Sequence, residues 1–218
     1  IALTKRGKLN HKDIPMCGVP AHASQTYLSR LINQGYKVAI AEQLESKDNQ
    51  KTLSKNKKIF TRDVVKIITP GTILDDSLLD SKINNHLASI SLVKGEISIS
   101  WTDMSTGSIK LQKVTGKNSV NDVYELIKKI EPEEIIISDQ IEKVKLLDSR
   151  FNQFQKKISK VPSGFFEPKN NKLKINEFFK NLFIESLGDF QDSDLSALGA
   201  LINYIELTQK QNIPLFND

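Results

Sequence analysis

The sequence predicts an α/β fold in two units: a small mixed sheet in front, then a larger sheet covered by helices. Short apolar, β-branched runs alternate with segments whose apolar residues recur at helical spacing. Prolines and glycines fall between those runs. Charge also divides along the chain: residues 1–70 hold 13 Lys and Arg against 5 Asp and Glu, and residues 71–218 hold 18 against 21. A basic front and a mildly acidic rear imply two units with different partners, the front suited to a polyanion. A chain of 218 residues, 39% hydrophobic and 26% charged, can build two small cores and does not have a disordered composition. No apolar run approaches the roughly 18 residues that read as a membrane-spanning helix. The single cysteine, Cys17, leaves no internal disulfide and fits a reducing cytoplasm.

Residues 1–18 read as an irregular basic segment ending in the shaped loop Ile14-Pro15-Met16-Cys17-Gly18-Val19-Pro20. A helix follows, with Ser24 as its cap, Tyr27, Leu28, Leu31 and Ile32 at helical spacing, and Gly35 as its stop. Lys37–Glu42 and Asp63–Thr69 read as strands, the second stopped by Pro70-Gly71. Between them the lysines at 47, 51, 55, 57 and 58 mark a solvated, mobile loop. The rear opens with strands Leu87–Val93 and Ile97–Trp101, joined by a hairpin at Lys94-Gly95. Strand Ser108–Val114, helix Val120–Ile130 and strand Glu134–Ile137 come next. A terminal helix carries Leu195, Leu198, Leu201, Ile202 and Ile205 and stops before Pro214. Three strands, a helix, a strand and a helix follow the order of a ribonuclease-H-like sheet.

Several blocks of the front half resemble the MutS family of DNA mismatch-recognition proteins. They are Leu3-Thr4-Lys5-Arg6-Gly7, Ile14 to Ala23, Tyr27 to Leu31 with Gly35, Val38 to Gln43, and Arg62 to Thr72. They stand in family order and at family spacing over about the first 75 residues, whereas in the rear only Asp103-Met104-Ser105-Thr106-Gly107 is distinctive. The resemblance implies a mismatch-recognition domain over residues 1–72, a linker over 73–84 and a ribonuclease-H-like connector over 85–218, the connector mobile on its linker. It also implies mispaired double-stranded DNA, a second MutS subunit and a MutL-type protein as partners, in a bacterial cytoplasm. The chain opens without an initiator Met or a signal-peptide layout. It is therefore read as starting inside a longer protein, past the family's Phe-x-Glu element and ahead of its ATPase. No Gly-x-x-x-x-Gly-Lys-Ser/Thr loop occurs. No cofactor is expected in this chain, and ATP and Mg²⁺ belong to the full-length protein.

The expected DNA-binding residues are Lys5, Arg6, Pro15, Met16, Cys17, Gly18 and Arg62. Arg6 offers a planar fork to phosphate, and Gly7 permits close backbone approach. Met16 and Pro15 suit an apolar wedge at an unstacked base step. Met16 can equally fill a core gap, and Lys5, Arg6 and Arg62 can be plain surface charge.

No catalytic or metal-binding residue is expected. His22 reads as a helix cap or core residue, and His11 and His86 have no partners at metal spacing. Cys17 has no base to activate it, and Trp101 reads as core. Asp103, Glu131, Glu133, Glu134 and Asp139 raise the rival reading of a metal-dependent nuclease, but surface charge explains them better. A protein-interaction module without DNA binding is the other alternative.

Overall fold

The computed structural model describes residues 3–43, 61–73, 85–115, 119–140, 149–179 and 188–210. The lysine-rich loop, most of the expected linker and the segment around Pro214 lie outside the described residues.

Residues 3–17 correct the expectation of an irregular segment. Strands β1 (Leu3–Leu9) and β2 (Lys12–Cys17) pair as an antiparallel hairpin. Asn10 and His11 turn it, both in the left-handed region at φ 49° and 62°, as a two-residue turn of right-handed strands requires. Pro15 is tolerated because each strand of a lone hairpin has a free edge. All of residues 3–20 are exposed, so no apolar alternation marks these strands in the sequence.

Helix α1 (Ser24–Asn33) follows a 3-10 turn, Ala21–Ala23. Ser24 is not its cap: Ala23 holds that position, and the Ser24 hydroxyl donates to the Ala21 carbonyl at 2.7 Å. Gly35, at φ 84°, ends the helix as expected. Strands β3 (Val38–Gln43) and β4 (Arg62–Ile68) form a second antiparallel pair. Ile32, Ile68 and Ile73 make a small core there with Leu28, Val38 and Ile40.

The rear unit holds a five-stranded mixed sheet in the order β7-β6-β5-β8-β9. Strands β5 (His86–Val93), β6 (Glu96–Asp103) and β7 (Ser108–Val114) are antiparallel, and β8 (Glu134–Ser138) and β9 (Ile158–Val161) run parallel to β5. Lys94 and Gly95, both at positive φ, make the expected β5–β6 hairpin. Helix α2 (Ser119–Ile130) buries Val123, Ile127 and Ile130 against Ala88, Ile90, Ile97, Ile99, Ile135 and Ile137, with Trp101 at the margin. The opposite face receives helix α4 (Asp192–Gln209), which packs beside α3 (Pro168–Phe178). Alternation along β5 explains the two faces: Ala88 and Ile90 point to α2, while Leu87, Ser89 and Ser91 point to α4. Ser89 and Ser91 donate to the Ala197 and Ser193 carbonyls at 2.8 and 2.6 Å, so small residues bring helix and sheet close. Among the described residues no helix is long and apolar enough to cross a membrane.

Candidate nucleic-acid interface

The hairpin carries four cations, Lys5, Arg6, Lys8 and Lys12, against one carboxylate, Asp13. Paired residues share a face of a two-stranded ladder, and successive residues alternate. Leu3 pairs with Cys17, Thr4 with Met16 and Lys5 with Pro15, after which a bulge at Arg6-Gly7 restores register at Lys8 and Asp13. Gly7 supplies the bulge, at φ 75°. One face therefore carries Lys5, Pro15 and Cys17. The other carries Met16 and Ile14, with Arg6 one step past Lys5.

Met16 is 41% exposed and Ile14 40%, so neither fills a gap in the cores described for this chain. Exposed apolar side chains next to a guanidinium suit a partner that offers both phosphates and stacked rings. Lys5 is less free than Arg6's face suggests: its ammonium lies 2.5 Å from Asp13. With both side chains exposed, the pair adds little stability but partly neutralises the charge.

The hairpin thus gathers Lys5, Arg6, Pro15, Met16 and Cys17, and Gly18 follows directly. Arg62 stands elsewhere, exposed at the start of β4 and paired with Gln43 in the other two-stranded sheet. Its neighbour Asp63 accepts the Val64 N–H at 2.7 Å and lies 3.9 Å from Lys210. His22 is exposed and makes no cap, so neither expected role holds.

The carboxylates of the nuclease alternative do not converge. Asp103, expected as surface charge, is instead buried at 6% exposure because it closes its own turn, accepting from the Ser105 N–H at 2.9 Å and hydroxyl at 2.7 Å. Glu133 pairs with Lys157 at 3.1 Å. Among the described residues, no three of His, Cys, Asp and Glu stand where they could share a metal ion.

Glu134 is a correction. Expected as surface charge, it is 1% exposed. Its Oε1 accepts from the Tyr204 hydroxyl at 2.5 Å and from Ser159, with the Lys37 ammonium at 3.1 Å. Its Oε2 accepts from Thr69 and from the Gly71 N–H at 3.2 Å. Burial, then the adjacent carboxylate, pushes the Tyr204 phenol well above its ordinary value. No local pattern signals this cluster, because its members come from distant parts of the chain.

Comparison with known proteins agrees with this architecture. The family model "MutS domain I" matches residues 1–77, and "MutS domain II" matches residues 85–217. A DNA mismatch repair protein MutS of Wolbachia pipientis wMel is 40% identical over 98% of this chain. Those of Rickettsia rickettsii (strain Sheila Smith) and Rickettsia typhi (strain ATCC VR-144 / Wilmington) are 40% and 39% identical over the same share. The chain spans about a quarter of the length of these relatives. Matched by both domain models in chain order, this chain belongs to the MutS family of mismatch repair proteins.

Proposed function

We propose that this chain is the DNA-contacting front of a mismatch repair protein, and that the β1–β2 hairpin meets a bent duplex at a mispaired or unpaired base. One observation carries the reading: an exposed basic hairpin sets Ile14 and Met16 on one face, with Arg6 in the bulge opposite Ile14. Arg6 contacts phosphate and sets position, with Lys5 and Arg62 adding charge. Met16 presses on the weakly stacked step, with Pro15, Cys17 and Gly18 shaping the strand beneath it. Mispairs stack poorly, so kinking costs less there, and the protein reads that deformability as binding energy.

In this reading residues 1–72 recognise DNA, residues 73–84 link, and residues 85–218 connect to the rest of a cytoplasmic MutS protein. That protein pairs with a second subunit, binds ATP with Mg²⁺ in regions these residues do not span, and engages a MutL-type partner. The connector relays the DNA-bound state to that ATPase.

The test is a titration of matched and mismatched duplexes at several salt concentrations. In the full-length protein, which supplies the Phe-x-Glu element that the resemblance places upstream, the parent is expected to prefer the mismatched duplex. Met16→Ala is expected to erode that preference while leaving the salt dependence unchanged. Equal loss on both duplexes would assign Met16 to general contact, and no salt-dependent binding by the parent would overturn the reading.

A further inference from the structure

The buried Glu134 cluster joins the two units. Among its five donors, the Lys37 ammonium, the Thr69 hydroxyl and the Gly71 N–H come from the hairpin-bearing unit, and the Ser159 and Tyr204 hydroxyls from the rear unit. We propose that this cluster is a latch that makes the two units move as one body, with Glu134 as its socket and Lys37 as its removable pin.

Separating the units strips three donors from a carboxylate that is 1% exposed in the closed joint. A buried charge left without partners is strongly unfavourable, so the joint resists partial opening. The fit is also steric: Gly71 sits so close to Glu134 and Leu87 that even a Cβ would collide with both. The segment after Gly71 is held as well. Gln209 donates to the Thr72 carbonyl at 2.8 Å, and Asn85 to that of Ile73 at 3.3 Å. The Lys210 ammonium reaches the Val64 carbonyl.

Lys37 differs from the other donors because its side chain is 44% exposed. Its ammonium also donates to the Ser159 hydroxyl at 2.5 Å and sits 5.7 Å from the Tyr204 ring centroid. It stands just before β3, two residues past the glycine that ends α1. A displacement of the front unit therefore pulls on Lys37, and through it on β8, β9 and α4. The expected mobile linker is bridged by this joint, so movement of the β3–β4 pair reaches the connector through Lys37, Thr69 and Gly71. The inference does not depend on DNA binding by the hairpin.

Distances between spin labels test it. The labels go on α1 and β7, at Asn33→Cys and Gln112→Cys, both exposed, in a Cys17→Ser background without DNA. The parent is expected to give one narrow distance peak. Lys37→Met is expected to lose that peak to a broad distribution, and Lys37→Arg to keep it. Because Lys37 lies outside the five-stranded sheet, unchanged Trp101 emission shows that the sheet is intact in each variant. A broad distribution in the parent, or a narrow one in Lys37→Met, would overturn the latch.

Discussion

Substituting Gly71 by alanine tests how tightly the two units are joined. A Cβ built there lies 2.6 Å from the Glu134 Cβ and 2.8 Å from a Leu87 methyl. Neither neighbour can swing aside, since Leu87 is fully buried in β5 and Glu134 is held by its donors. The Pro70–Thr72 turn must retreat instead, which stretches the 3.2 Å Gly71 N–H contact to Glu134. Overpacking of this kind costs about 1–3 kcal/mol, and losing the hydrogen bond about 0.5–1.5 kcal/mol more. Lower entropy of the unfolded chain returns about 0.4–1 kcal/mol. The expected net loss is about 2 kcal/mol, or a fall of roughly 4–8 °C in Tm for a chain of this length. Urea unfolding followed by Trp101, the single tryptophan, measures it. Gly18→Ala is the control: it meets open space and should change stability by less than about 0.5 kcal/mol. Gly71→Ala as stable as that control would refute the close-packed joint.

Arg6→Ala should weaken binding to matched and mismatched duplexes alike and lower the log–log salt slope by about 0.9, as expected for one phosphate contact; an unchanged slope would remove Arg6 from the backbone. Tyr204 predicts a pH effect. Its phenol is raised in the folded state, so the stability it contributes is fully present below the unfolded value of about 10 and is lost as pH rises beyond it. The stability of the parent relative to Tyr204→Phe should therefore fall between about pH 9 and pH 11, and a constant difference would contradict the buried phenol.

Elements that bury apolar side chains were readable from the chain alone. Helix α2 buries a spaced set on one face, whereas β5, β6, β8 and α4, covered on nearly all sides, read as short β-branched runs or as a broad apolar stripe. The β1–β2 hairpin buries nothing on either side, so its strands left no such trace. Strand β9 has only four residues, one of them the exposed Lys160, too few to show a period. The candidate interface was legible as residue types, through the family resemblance. Its division into a Lys5 face and a Met16 face was not, because that depends on the bulge at Gly7 and the resulting register. Glu134 was hidden for another reason. It opens a strand like any surface glutamate, and Thr69 and Tyr204, which bury it, lie 65 and 70 positions away.

The most direct measurement uses Cys17, the only cysteine of this sequence, exposed on the hairpin one residue from Met16 and on the opposite face, so the tether must be long enough to reach round the strand. A duplex with one mispair is given a thiol-reactive tether at successive positions, and the yield of the covalent adduct is followed along the duplex. The account predicts that the yield peaks within a step or two of the mispair and moves with the mispair when it is relocated. A yield that is uniform along the duplex, or fixed when the mispair moves, would contradict a hairpin seated at the defect.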